Sequence, residues 1–153
     1  MQAITPFLWF DGHAEQAMNF YLSIFKNAKV LNVHRTNGQV MSVMFELQGQ
    51  KFMGLNAGPQ YKFTEAISFF VSCESQEEVD ELWEKLSAGG EKGRCGWLKD
   101  KYGVSWQIIP TALGKLMSDP DPVKSRAVLQ AMLKMNKIVI EDLQRAHEGK
   151  AAA

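Results

Sequence analysis

The chain has almost no material for a covalent framework, since only Cys73 and Cys95 occur among 153 residues. Two cysteines do not make a disulfide scaffold, and their scarcity points to a reduced compartment. Excess charge is missing as well. The 17 basic and 17 acidic residues give a formal net charge of +0. Nucleic acid and anionic membrane both select a basic field, so neither is expected as a partner. A surface without net charge has little protection against self-association. No apolar run approaches the roughly 20 residues that span a bilayer. The opening Met1 to Phe10 is too short for a secretion signal, and polar residues follow it at once. These absences give the expectation of a cytoplasmic protein. Phosphate-binding glycine loops are also lacking, both the dinucleotide fingerprint and the Gly-Lys-Ser/Thr kind.

What is present is ordinary globular composition, 46% apolar and 22% charged. The length suits one domain, residues 1–153. Ile4 to Phe10 is short, apolar and aromatic, which predicts a buried strand, with Pro6 confining it to an edge or bulge. Apolar residues then recur with helical spacing from His13 to Phe25, with Asp11 as the expected cap. Val30 to His34 reads as a strand. Asn37-Gly38 predicts a hairpin turn into the strand of Val40, Val43, Phe45 and Leu47. Phe52 to Leu55 returns after Gly49. The order is β-α-β-β-β.

Gly58-Pro59 interrupts the chain, and the order repeats. Ala66 to Val71 is the expected strand. Ser75 and Glu78 form a capping-box pair before a helix whose stripe is Val79, Leu82, Trp83 and Leu86. Gly89-Gly90 stops it. A strand shortened near Glu91 to Gly93, a strand from Cys95 to Leu98, a solvated turn at Lys99-Asp100-Lys101 and a strand from Val104 to Ile109 complete the second set. Phe20-Tyr21-Leu22 matches Leu82-Trp83-Glu84 at an offset of about 62 on helical phase. Gly49 to Met53 matches Gly103 to Gln107 at an offset of about 54 on turn glycines. The expectation is an α+β fold with two β-α-β-β-β modules, about 4–57 and 66–110, enclosing a mixed-sheet cleft. A helical extension follows over about 111–148. It comprises a turn or two of helix from Ala112 to Met117, then helices over Val123 to Met135 and Ile138 to Ala146. Pro122 is suited to a first helical position. Gly149 to Ala153 reads as a frayed end.

Leu8-Trp-Phe-Asp-Gly-His-Ala-Glu-Gln-Ala-Met-Asn-Phe-Tyr21 resembles the entry to the first helix in the glyoxalase/bleomycin-resistance/dioxygenase (vicinal oxygen chelate) superfamily. Phe52-Met-Gly-Leu-Asn-Ala-Gly-Pro59, Cys95-Gly-Trp-Leu-Lys-Asp100 and Gly103-Val-Ser-Trp-Gln107 are similar to segments of its PhnB-like branch, often labelled 3-demethylubiquinone-9 3-methyltransferase. The resemblance runs from about Ile4 to Gly149. It implies paired modules and a homodimer. The apolar C-terminal helices, with Met117, Met132 and Met135, suit an adaptable contact. Metal-dependent members hold one divalent ion with His and Glu at four strand positions. By the two offsets those positions fall here on Pro6, Ser68, Met53 and Gln107. Such ions need carboxylate or imidazole, so no metal site is expected. His13, His34 and His147 read as surface residues.

Ser68 and Gln107 should instead point into the cleft as convergent polar groups among apolar walls, as small-molecule sites require. Met53 lines or fills the same space. Trp97 is a candidate wall for an aromatic ligand, whereas Trp9, Trp83 and Trp106 read as core. Cys95 lies near Lys99, which would favour a thiolate, but no base is placed beside it. A packed thiol is the plainer reading, and more so for Cys73. Asn56 either bonds a ligand or forms a turn. No two carboxylates are placed for acid–base work. Two functional readings follow. One is a metal-free binding protein for an apolar or aromatic small molecule, needing no cofactor. The other, from the family label, is methyl transfer from S-adenosylmethionine to a quinone-like substrate, although no glycine-rich strand-to-helix turn is present for the donor. A metal-dependent lyase or dioxygenase with unusual ligands is the remaining alternative.

Overall fold

A computed structural model describes residues 3–150. The chain forms two compact units, one running to Phe63 and the other starting at Thr64.

In the first unit, β1 (Phe7–Phe10), α1 (Ala14–Ile24), β2 (Ala28–Thr36), β3 (Gln39–Leu47) and β4 (Gln50–Asn56) follow in the expected order. The sheet order is β1-β4-β3-β2, with β1 parallel to β4 and the other pairs antiparallel. Asn37 and Gly38 both have positive φ, at 52° and 78°, as a tight hairpin turn demands. Alternation on β3 buries Val43, Phe45 and Leu47 on the face that α1 covers. Tyr21 of α1 meets Phe45, which stacks on Phe52 at 5.4 Å. β1 begins later than expected. Ile4 is exposed, and pairing starts after Pro6, whose carbonyl accepts the Met53 N–H at 2.9 Å. On an edge strand the missing N–H of proline goes unnoticed.

Asp11 is not the cap of α1. The N-cap residue is His13, and its side chain makes no cap bond. The free Ala14 N–H is taken by Asn56 Oδ1 at 2.8 Å, while Asn56 Nδ2 donates to Val40 O at 3.1 Å. A residue 42 positions away thus supplies the cap and ties α1 to β3 and β4.

The second unit holds β5 (Phe69–Cys73), α2 (Gln76–Ser87), β6 (Glu91–Lys92), β7 (Trp97–Lys99) and β8 (Ser105–Pro110), in sheet order β5-β8-β7-β6. β5 is parallel to β8. It starts three residues after the expected Ala66. The shortened strand is β6, two residues long. Ser75 Oγ caps α2 by accepting from Glu78 N at 3.2 Å. The Glu78 carboxylate reaches one residue further back than the usual box, to Glu74 N at 2.9 Å. Val79, Leu82, Trp83 and Leu86 are buried as their spacing predicts.

The turn after β7 is not solvated. Asp100 is 2% exposed, and its Oδ1 accepts from Tyr102 N at 2.9 Å and Val104 N at 3.0 Å. Its Oδ2 accepts from Trp106 Nε1 at 2.9 Å. This carboxylate fixes the β7–β8 hairpin. Cys95 is not on a strand. It and Gly96 adopt left-handed φ values of 58° and 83°. Their N–H groups donate to Met135 O and Asn136 O, each at 2.8 Å. The C-terminal layer therefore dictates this turn.

That layer is α3 (Thr111–Met117), α4 (Pro122–Leu133) and α5 (Ile140–His147). Pro122 opens α4 as expected, and Asp121 caps it through Val123 N at 2.9 Å. Ile109, Leu113, Val128, Ile138 and Leu143 form its core, with Met132 and Met135 packed against them. Those two methionines are thus engaged within the unit, while Met117 stays 36% exposed. Gln76 of α2 grips the layer twice, donating to Ile138 O at 3.0 Å and accepting from Ile140 N at 2.7 Å. Lys137 adds an ion pair to Asp80 at 2.9 Å. The expected frayed end falls partly on Ala151 to Ala153, outside the described residues; Gly149 and Lys150 follow α5.

Two carboxylates that fasten this layer are held below the usual range. The Gln76 amide and then Lys137 lower Asp80, and the Asp121 N–H and then His147 lower Asp119. A depressed folded pKa contributes stability above the unfolded value that is lost as pH falls through the folded one. Below about pH 4, α4 and α5 should therefore lose hydrogen-exchange protection before β8 does. Simultaneous loss in α5 and β8 would show that these carboxylates do not hold the layer.

Candidate functional site

Each sheet gives one face to its helix, and the polar candidates fall on the other face. In the first unit Leu8 and Phe10 are buried on the helix side. Trp9 therefore points the opposite way, contrary to its reading as core. Its Nε1 donates to Gly58 O at 2.9 Å, and its ring meets Tyr61 edge-on at 4.9 Å. Met53, paired with Phe7 on β1 and Met44 on β3, lies half-buried on this same face. Asn56 holds two backbone groups, so its amide is engaged in structure.

In the second unit Trp106, Ile108 and Leu98 are buried on the α2 side, with Phe69 against the Trp106 ring at 5.2 Å. Trp83 and Trp106 are core, as expected. The opposite face carries Trp97 and Gln107, which are direct partners across β7 and β8. Gln107 Nε2 donates to Ser68 Oγ at 2.9 Å. Three sequence candidates, Ser68, Trp97 and Gln107, thus stand together on one face of one sheet. Met53 and Asn56 belong to the first unit. Cys95 stands in the turn that meets Met135.

Residues the sequence reading passed over complete this face. Lys99 and Ser105 are partners two residues along the same hairpin. Lys99 Nζ lies 2.5 Å from Glu65 Oε1. That bond raises the lysine pKa and lowers the glutamate pKa. Ser105 is 2% exposed, and its Oγ has no hydrogen-bond partner. Glu65, Glu91, Trp97, Lys99 and Ser105 line a depression of about 120 Å³. Strand parity held the signal: Ser105 is two residues before Gln107, so it shares its face.

A buried hydroxyl without a partner costs about 1–3 kcal/mol. Ser105→Ala is therefore expected to raise the melting temperature by about 2–12 °C. A fall in melting temperature would mean that the hydroxyl is satisfied in solution.

The strand registers correct one equivalence between the modules. Phe7 pairs with Met53 and Phe70 pairs with Gln107. The strands therefore match at an offset of 63 (Phe7 to Phe70), while the helix caps match at 62 (His13 to Ser75). The counterpart of Pro6 is Phe69, and Ser68 precedes it by one. In the first unit the positions in question are Pro6 and Met53; in the second, Gln107 shares its face with Ser68, while Phe69 packs against Trp106 on the α2 side. Together they offer a thioether, a hydroxyl and an amide, and no imidazole or carboxylate. That donor set does not fit a hard divalent cation. Among the described residues, no group of three or more His, Cys, Asp or Glu could hold one. Nor do the residues between β1 and α1 fit a nucleotide-type donor. That turn has a single glycine, Gly12, and the helix N-terminus is already capped by Asn56. Cys73 is fully buried, and burial followed by Glu78 and Glu74 pushes its thiol up to about 12, so it is inert packing.

The profile of the family described as 3-demethylubiquinone-9 3-methyltransferase matches residues 2–109. The chain belongs to this family. A structure from Bacillus cereus, described as a putative 3-demethylubiquinone-9 3-methyltransferase and PhnB protein, is 38% identical. The match covers 71% of this chain and 99% of that one, with a TM-score of 0.67. Two more distant structures share the fold. One, from Pseudomonas aeruginosa, is 17% identical over 71% of this chain and 96% of its own, with a TM-score of 0.59. The other is the fosfomycin resistance protein of Listeria monocytogenes, solved with Mn(II) and sulfate. It is 18% identical over 69% of this chain and 88% of its own, with a TM-score of 0.51. No curated protein matches the chain. The fold is thus that of the glyoxalase/bleomycin-resistance superfamily, two mixed four-stranded sheets with helices. The match to the 3-demethylubiquinone-9 3-methyltransferase family ends before α3, so the three C-terminal helices lie beyond it.

Proposed function

We propose that this member of the family is a metal-free binding protein for a small apolar or aromatic molecule. The ligand lies on the open face of the second sheet, against the Trp97 ring, with Gln107, Ser68 and Ser105 as its polar contacts. The observation that carries this reading is the buried, partnerless Ser105 hydroxyl on the same face as Trp97. An unsatisfied polar atom beside an aromatic wall offers a small molecule a hydrogen bond and an apolar contact together. The absence of imidazole and carboxylate at Pro6 and Met53 in the first unit, and at Ser68 and Gln107 in the second, supports action without metal. The +0 net charge supports self-association, for which a cytoplasmic homodimer is the proposed form.

A thermal-shift panel tests it. Aromatic fragments at tenfold over their Kd should raise the melting temperature by about 3–6 °C. Mn²⁺, Zn²⁺, S-adenosylmethionine and S-adenosylhomocysteine should not. A rise with either adenosyl compound would replace binding with the methyl-transfer reading that the family name carries. A rise with a divalent ion would favour a metal enzyme with unusual ligands.

A further inference from the structure

We infer that the ligand carries a carboxylate, taken by Lys99 and Ser105 in place of Glu65, with its apolar part against Trp97. This rests on the second sheet's open face being the binding site. Three observations converge on it. Lys99 and Ser105 are register partners across β7 and β8, so a donor cation and a donor hydroxyl leave the sheet side by side. Both line the depression that Trp97 walls. Third, the Ser105 hydroxyl is buried and partnerless, while Lys99 already holds a carboxylate oxygen at 2.5 Å.

That oxygen belongs to Glu65, whose side chain is 63% exposed, against 33% for Lys99. The glutamate is the partner that solvent can draw away at little cost, since exposed ion pairs contribute little. The lysine stays at the wall of the depression. Glu65 thus acts as an internal stand-in for the anion, and an incoming carboxylate exchanges with it. One oxygen would replace Glu65 on Lys99 and the other would accept from Ser105, satisfying the hydroxyl. The rim sets the charge limit. Glu91 is the register partner of Lys99 on β6, and Lys92 is engaged by Glu84 at 2.9 Å. Lys99 is therefore the cation left for the ligand, enough for one negative charge and not for two. An amine would pair with Glu65 and Glu91 and could donate to Ser105 Oγ, but it would leave Lys99 without an anion, so benzylamine is the competing probe.

Titration calorimetry of the full chain with benzoate, benzyl alcohol and benzylamine decides the matter. Benzoate should bind at least about tenfold more tightly than benzyl alcohol, as a charge-assisted hydrogen bond gives. Lys99→Met should remove that difference. Glu65→Gln, on an exposed side chain that folding does not need, should tighten benzoate about threefold by removing its competitor. It should leave benzyl alcohol unchanged. If benzyl alcohol or benzylamine binds as tightly as benzoate, the carboxylate inference fails and the binding face stands. If Glu65→Gln weakens benzoate, Glu65 is a contact and not a stand-in, and the inference fails. If none of the three binds, both the inference and the site reading fail.

Discussion

Asp100→Ala is expected to destabilise the protein by about 3 kcal/mol or more, lowering the melting temperature by at least about 6–12 °C. The side chain is 2% exposed and accepts three hydrogen bonds, from Tyr102 N, Val104 N and Trp106 Nε1. Alanine leaves those donors without that acceptor in the interior, where each costs about 1–3 kcal/mol. Asp100→Asn separates the contributions. It keeps Oδ1 for the two backbone groups but turns an amide N–H toward the indole N–H, so about half the loss is expected. The effect reaches the candidate site, because this turn sets which residue of β7 faces which residue of β8. With the register free, Lys99 no longer stands opposite Ser105. Urea unfolding of the two variants checks the order alanine, then asparagine, then parent. Equal stability of alanine variant and parent would refute the role given to Asp100.

Gly96→Ala is expected to cost about 2–5 kcal/mol, combining left-handed strain with overpacking. An added Cβ would stand 2.6 Å from Ile109 Cδ1, 3.0 Å from Ile108 O and 3.2 Å from Ile138 Cγ1, at a φ of +83°. Backbone and β8 side chains cannot both retreat, because Gly96 also donates to Asn136 O and accepts from Ile108 N. The loss should therefore fall on the attachment of α4 and α5. Proteolysis between Met135 and Ile140 is the readout, expected to quicken before the sheet unfolds. Gly12→Ala is the control. Its φ of +81° is similar, but nothing lies within 4 Å of the new Cβ, so only backbone strain of about 1–2 kcal/mol should appear. Equal costs at the two positions would mean the C-terminal layer does not press on Gly96.

The element order was legible because period and turn chemistry are local. Val43, Phe45 and Leu47 alternate, Asn37-Gly38 can only turn, and Val79, Leu82, Trp83 and Leu86 repeat at helical spacing. What escaped was set at a distance. The cap of α1 comes from Asn56, while Asp11 is nearer and equally suited by type. Cys95 leaves the strand because Met135 and Asn136 take its turn, which no local pattern encodes. Trp9 was misplaced because Leu8 and Phe10 claim the helix side, and parity follows from pairing. Ser68 was aligned with Pro6 by carrying a helix offset onto a strand that differs by one residue. Of the candidates, Ser68, Trp97 and Gln107 were chosen as cleft-lining positions, and strand pairing places these three on one face of the second sheet. Lys99 and Ser105 needed the hairpin register, which Asp100 fixes and which a reading of charged residues as a solvated turn conceals.

The central claim is a binding face at Trp97 that works without metal. Its most direct test follows the indole N–H signals of ¹⁵N-labelled protein while aromatic carboxylates and then Mn²⁺-mimicking diamagnetic Zn²⁺ are added. The account predicts that Trp97 shifts saturably with the carboxylates, that Trp83 and Trp106 stay in place, and that Zn²⁺ leaves the amides of Met53 and Gln107 unchanged. A silent Trp97, or stoichiometric Zn²⁺ shifts at Met53 and Gln107, would contradict it.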